Sequence, residues 1–324
     1  MRFLNGFWKL AFAVFLLSLS SISAELTVED PDFEALQAGA EAGSGWSNRA
    51  FQDATNQSGR YFLPNVLLPM VVYDSFTGLT WERFQSLLPV VWNQTAYPGS
   101  AQAHCVSLCA GGYSDWRVPS VMELQSLVDY SLTKAPRINA PAFPITFPSG
   151  YWSSEAVVNA SHEAWKLSFG TGKIEPHDAF LSRKGILARC VRGPVPSQED
   201  RFLDPSGSVL NQSSSEVLDT TTGFVWQRAL SNFTPTSSLA EEYCDMLRLG
   251  GHKWQLPSIK QLVSLVDYDQ NAPSLNSSVF PNSSVTSWSS TPSGPVSHLW
   301  AVHFQRGTAE VLNETVEASV RCVR

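Results

Sequence analysis

The sequence is written twice, and that duplication limits the fold more than any other feature of the chain. Residues 74–83 (DSFTGLTWER) recur as 219–228 (DTTTGFVWQR), and 105–112 (CVSLCAGG) recur as 244–251 (CDMLRLGG). WRVPS at 116–120 returns as WQLPS at 254–258, and LQSLVDY at 124–130 returns as LVSLVDY at 262–268. Trp-Ser-Ser at 152–154 and 288–290, Trp-x-x-x-Phe at 165–169 and 300–304, and a closing Arg-Cys-Val-Arg at 189–192 and 321–324 complete the series. Blocks that recur in one order, with similar gaps, mark one structural unit used twice. The copies run over 60–192 and 201–324, with 193–200 as a short Pro-containing linker. At roughly 150 residues per domain, a chain of 324 residues accommodates two such units, each expected to bury its own core.

Each copy reads as an α+β domain of two helices and a small antiparallel sheet. Residues 71–74 and 79–81 flank a Thr-Gly turn and predict a β-hairpin. Residues 102–110 predict a helix stopped by Gly111 and Gly112. A second helix starts at Ser120 with a capping box to Glu123, matched by Ser258 and Gln261. Val121, Leu124, Leu127 and Val128 then share one face, as do Ile259, Leu262, Leu265 and Val266. Strands are expected at 151–153, 165–169 and 186–191. Helices followed by short strands place the sheet late in each unit.

The repeat also sorts the five cysteines. Each copy has one Cys in its first helix (Cys105, Cys244) and one in its last strand (Cys190, Cys322), which predicts Cys105–Cys190 and Cys244–Cys322. Loops of this length give roughly 4–5 kcal/mol per bridge, as an upper figure. Cys109 is the odd thiol, and Arg248 holds its place in the second copy. It lies one helical turn from Cys105, so Cys109–Cys190 stays open as the competing bond.

Disulfides require an oxidising compartment, and the N-terminus supplies a route to one. Arg2 and Lys9 precede an apolar run at 10–19 and a small-residue stretch ending at Ala24, the layout of a cleaved signal peptide over 1–24. The expected mature protein is exported (periplasmic, outer-surface or extracellular), with no segment of ~20 apolar residues to span a membrane. Residues 25–59, acidic and rich in Gly, Ala and Ser, fit neither copy and are expected to form a flexible leader. Loss of Arg2 and Lys9 takes the formal charge from −7 to −9, which argues against nucleic acid as a partner.

Thr-Gly-Leu-Thr-Trp81, Gly-Tyr-Ser-Asp-Trp-Arg-Val-Pro-Ser120, Leu-Val-Asp-Tyr130, Tyr-Trp-Ser-Ser154 and Arg-Cys-Val-Arg192 resemble the Lcl C-terminal domain family, named for the C-terminal domain of a bacterial collagen-like adhesin. Both copies carry the resemblance. It implies a C-type-lectin-like fold for each copy, a mainly bacterial origin and surface-attached or exported proteins. For the adhesin itself it implies binding of sulfated glycosaminoglycans. The present chain has no collagen-like Gly-x-y repeat, and its negative charge disfavours a polyanionic ligand.

The expected function is accordingly a non-catalytic binding or adhesion protein that recognises a glycan or an envelope component. A structural protein that holds another envelope protein is the alternative. Trp116, Arg117, Tyr151 and Trp152 are the candidate ligand-binding residues: the rings as a platform for a sugar face, the guanidinium as a polar contact; tryptophans at matching places in both copies are better explained as core. In the second copy Arg117 becomes Gln255 and Glu123 becomes Gln261, and the residue pair Ser114-Asp115 is one residue shorter. Paired loss predicts that Arg117 interacts with Glu123 or Asp115. Asp267-Tyr-Asp269-Gln-Asn271 alternates oxygen donors like the start of a calcium loop, but Ala272 replaces the Gly at position six and Ser278 the Glu at twelve, so no metal is expected.

No cofactor motif is present, and the six His show no tight metal spacing. The WRVPS stretch is also similar to formylglycine-generating enzymes. Those need a late cysteine pair, whereas each copy offers one late Cys, so a catalytic role is not expected. Eight Asn-x-Ser/Thr sequons (Asn56, Asn93, Asn159, Asn211, Asn232, Asn276, Asn282 and Asn313) predict a glycosylated surface only in a eukaryotic secretory pathway. The oligomeric state is not legible.

Overall fold

A computed structural model describes residues 46–324, apart from 65–68, 93–98, 181–184, 196–200, 271–273, 282–285 and 295–296. The signal peptide at 1–24 and the first part of the expected leader lie outside the described residues.

The fold is α+β, with few helices and several small antiparallel sheets. In the first copy β1 (Tyr61–Phe62), β2 (Val71–Asp74), β3 (Leu79–Glu82) and β7 (Val191–Arg192) form a sheet in the order β1-β2-β3-β7. The β2–β3 turn is closed by Gly78 at φ 70°, a backbone region that L side chains resist. In the second copy β8 (Phe202–Leu203), β9 (Glu216–Asp219) and β10 (Val225–Gln227) repeat the arrangement, and Val323 bridges Trp226 where β7 would lie.

The helices follow their caps. Helix α1 (Ala101–Val106) starts where Ser100 Oγ accepts from Ala103 N at 3.0 Å. It is shorter than the stretch 102–110 that the sequence suggests. Gly111 and Gly112, both at positive φ, close a tight turn in which Ala110 and Tyr113 bridge, and do not cap the helix. Helix α2 (Val121–Ser126) and its counterpart α4 (Ile259–Ser264) both begin with the expected capping boxes. The first helix of the second copy, α3 (Ser237–Met246), is longer.

The disulfides join Cys105 to Cys190 and Cys244 to Cys322, with Cα–Cα separations of 5.4 and 5.5 Å; Cys109 is free and exposed. Beside each bridge the closing arginine is fully buried. Arg189 donates to the carbonyls of Glu82 and Arg83 at 2.8 Å, and Arg321 donates to that of Gln227 at 2.7 Å. Each such bond to a charged donor is worth ~1.5–3 kcal/mol. This accounts for the Arg in Arg-Cys-Val-Arg: it locks the last strand onto the end of the hairpin.

The expected picture of two units with separate sheets and cores does not hold. β4 (Gly150–Ala156), β5 (Glu163–Ser168) and β6 (Ile174–Asp178) join β11 (Thr286–Pro292), β12 (His298–His303) and β13 (Thr308–Asn313) in one six-stranded sheet, ordered β11-β12-β13-β6-β5-β4. The seam is the antiparallel pair β6–β13, with Ile174 opposite Ala309. Each three-stranded sheet would otherwise expose its last strand as an open edge, and the pairing at Ile174 and Ala309 covers part of each. The strand β6, missed in the sequence because Pro176 and three charged or His neighbours hide its period, is therefore the joint.

One continuous core crosses the seam. Tyr130 packs edge-on against Trp300 at 5.2 Å, and its counterpart Tyr268 packs against Trp165 at 4.9 Å. A Cβ on Gly172 would lie 2.8 Å from Tyr130, and one on Gly307 would lie 3.0 Å from Trp165, so close packing holds both positions to glycine. Helices α2 and α4 meet at the same seam.

Residues 46–59, expected to belong to the flexible leader, are instead part of this body. Trp46, Ala50 and Phe51 are buried in the shared core, and Phe51 meets Phe224 edge-on at 5.2 Å. Burying a Phe side chain is worth ~1.5–3 kcal/mol. Polar composition around these rings hid them from a reading based on the repeat.

Candidate functional site

The duplicated frame creates two equivalent grooves, each between the start of one copy's second helix and the Val-Asp-Tyr segment of the other copy. The groove at α4 is filled by the chain itself. Phe51 O accepts from Ser258 Oγ at 2.9 Å, and Asp53 O accepts from Tyr130 N at 2.8 Å. Asp129 Oδ2 accepts from Thr55 N at 3.0 Å and Thr55 Oγ1 at 3.2 Å, while Thr291 Oγ1 joins Asp53 Oδ1 at 2.9 Å and accepts from Ile259 N at 2.8 Å. Buried Lys260 sits behind, donating to Ser126 O at 3.1 Å. Burial and neighbouring Arg60 pull its ammonium down, against the attraction of Asp53, Asp129 and Asp74. Burial likewise raises the Asp53 carboxyl, opposed by its bond to Thr291 and by Lys260.

Among the described residues, the groove at α2 is open. It is a cleft of about 1200 Å³ lined by Arg117, Met122, Glu123, Ser154 and Glu155 of the first copy and by Phe202, Asp267 and Tyr268 of the second. Arg117 forms a fork to Glu123, at 2.7 Å (Nη1–Oε2) and 2.6 Å (Nη2–Oε1), and Ser120 N donates to the same carboxylate at 2.7 Å. Asp115, the other partner considered for Arg117, instead pairs with Arg192 at 2.7 Å. The Glu155 carboxylate accepts from Val121 N at 3.1 Å on both oxygens, and burial pushes its pKa up to about 7. Tyr268 has a buried hydroxyl without a partner among the described residues; burial and the Glu155 charge hold it well above the usual phenol range.

Of the four residues singled out in the sequence, the structure leaves one at the cleft. Arg117 keeps 30% of its side chain accessible. Tyr151 and Trp152 are fully buried and Trp116 nearly so. Trp152 Nε1 donates to Val90 O at 2.8 Å, and Trp116 Nε1 donates to Tyr113 O at 3.1 Å. The aromatic platform gives way to the core reading: these rings supply core volume and both tryptophan N–H groups are satisfied, as repeated tryptophans at core positions are. Glu155 was missed, although Glu155 against Thr291 is a visible break in the Trp-Ser-Ser repeat.

Metal chemistry gains nothing from the described residues. Glu82, His104 and Cys190 cluster, but the Cys190 sulfur is committed to its disulfide, and His104 Nε2 lies 3.1 Å from Glu82 Oε1. In the loop with alternating oxygens, Asp267 already accepts from Asp269 N at 3.0 Å and Gln270 Nε2 at 2.7 Å; Asn271 and Ala272 lie outside the described residues.

Comparison with known families matches the Lcl C-terminal domain over residues 70–192 and again over 215–324. The chain belongs to the Lcl C-terminal domain family. It holds two tandem segments of that domain, and the cleft is built where they meet. No curated protein matches the chain. Among the described residues, no helix is long and apolar enough to cross a membrane. With two disulfides, this Lcl C-terminal domain protein is compatible with life outside the reducing cytoplasm.

Proposed function

We propose that the protein is an exported, non-catalytic binding protein, its two copies each C-type-lectin-like, that acts in adhesion or envelope-associated binding and holds its ligand in the cleft between the copies. The observation that carries this reading is the cleft itself: about 1200 Å³, contributed to by both copies, with Arg117 and the carboxylate of Glu155 at its wall. Concave sites with a few convergent polar groups and a perturbed titratable residue are where ligands bind.

The alternative of a protein partner is favoured over a glycan by two features. Trp116, Tyr151 and Trp152 present no face for sugar stacking. The cleft also carries Glu123, Glu155, Asp267 and Asp269 against Arg117 and Arg201, and an acidic wall repels sulfated sugars. Ala156→Trp, an exposed position on the cleft wall, tests the assignment. Adhesion of the purified protein to immobilised envelope material is expected to fall for this variant while its thermal unfolding is unchanged. Adhesion equal to that of the unsubstituted protein overturns the cleft as the site.

A further inference from the structure

The filled groove shows what the open one is shaped to hold. In the filled groove, four polar groups take residues 51–55, the stretch that leaves the short 3-10 helix Asn48–Phe51: Ser258 Oγ, Tyr130 N, Asp129 and Thr291. Their counterparts in the open cleft are Ser120 Oγ, Tyr268 N, Asp267 and Glu155. Ser120 Oγ accepts from Glu123 N, but its own proton has no acceptor among the described residues, nor does Tyr268 N. Both donors are spent on backbone carbonyls in the filled groove. The stretch of chain that corresponds to 46–59 is the linker, which is shorter; its Val195 stands at the cleft with 69% of its surface exposed.

The charge of the two grooves is inverted. Where Thr291 donates to the Asp53 carboxylate and the charge of Lys260 attracts it without direct contact, the open cleft places Glu155 and Met122. A segment like 46–57 would bring Asp53 against Glu155, carboxylate to carboxylate. A segment with a cation at that position would gain an ion pair in a partly desolvated site.

We propose that the open cleft binds a peptide segment of a partner protein with a Lys or Arg opposite Glu155, in the manner in which the equivalent groove holds residues 51–55 of this chain. This rests on the cleft being the binding site. It names the occupant: backbone carbonyls for Ser120 and Tyr268, a donor for Asp267, and a basic side chain for Glu155.

The test uses the full chain and two fluorescent twelve-residue peptides. One has the sequence of residues 46–57 (WSNRAFQDATNQ), and the other has Lys in place of its Asp. Anisotropy titration at about pH 8, where the carboxyl is ionised, is expected to show the Lys peptide binding at least about tenfold tighter. Glu155→Thr, which copies the residue of the other groove, should erase that preference, and Ala156→Trp should abolish binding. No binding of either peptide up to about 1 mM overturns the proposal. So does tighter binding of the Asp peptide, the result expected if a second copy of this chain were the occupant. Envelope adhesion lost in Ala156→Trp without peptide binding would leave the cleft as the site and remove the peptide. Peptide binding lost in Ala156→Trp with envelope adhesion intact would do the reverse.

Discussion

The Arg117–Glu123 pair allows a sharp energetic test, because the second copy already contains the neutral version. Glu123 is 1% exposed, so Arg117→Gln strands a carboxylate that, among the described residues, keeps only its bond from Ser120 N. Removing one member of a buried pair costs about 3 kcal/mol or more. Glu123→Gln differs: Arg117 retains 30% of its side-chain surface and can turn to water, and Gln preserves the cap, as Gln261 does by accepting from Ser258 N at 2.8 Å. Its cost is expected to be about 1 kcal/mol. The double variant recreates the Gln255/Gln261 arrangement and should also cost about 1 kcal/mol, against about 4 if the two changes were independent. Urea unfolding of the oxidised protein, followed by tryptophan fluorescence, measures all three. A double variant that loses the sum of the single losses would refute the claim that these residues act as a unit, and with it the explanation of their joint replacement in the second copy.

Three further outcomes follow from the frame. Gly172→Ala places a Cβ 2.8 Å from Tyr130 at φ 80°, and is expected to lower stability by about 2–3 kcal/mol, read in the same unfolding assay. Phe51→Ala should cost about 3 kcal/mol and expose 46–57 to limited proteolysis, whereas a solvated leader would show no change in unfolding. Glu155, raised to about 7, gives the fold stability that is present below its ordinary value of 4.5 and lost as pH rises through 7. Allowing for its partial exposure, about 1–2 kcal/mol should disappear over that range. Lys260 works in the opposite sense, losing stability as pH falls, so the comparison with Glu155→Gln isolates the carboxyl.

Local features were legible where one residue or one short spacing decides them. Ser120 and Ser258 cap helices because the capping box lies within four residues, and the Thr-Gly turn sets the β2–β3 hairpin. Cys105 and Cys190 could be paired because the repeat offered the same two places twice. What escaped was whatever depends on how the two copies face each other. Nothing in the residues around Ile174 and Ala309 announces that they pair, since β6 mixes Pro176 with polar neighbours that are exposed or half-buried. Trp152 reads two ways in the sequence, and its burial fits the core reading that a ring repeated in both copies favours over the ligand platform.

The differences between the copies carried more functional information than their likenesses. Tyr130 and Tyr268, Trp165 and Trp300, and Gly172 and Gly307 are the same in both because each pair must close the same seam. Thr291 and Glu155, and Lys260 and Met122, differ where one groove is occupied from within the chain and the other, among the described residues, is not. A groove that holds its own segment must match that segment alone, and a neutral hydroxyl beside a buried cation suits Asp53. An open groove with a carboxylate at the same place cannot take the same segment without burying two like charges, which costs several kcal/mol. The substitution therefore does more than weaken self-occupancy. It reserves the second groove for something of opposite charge.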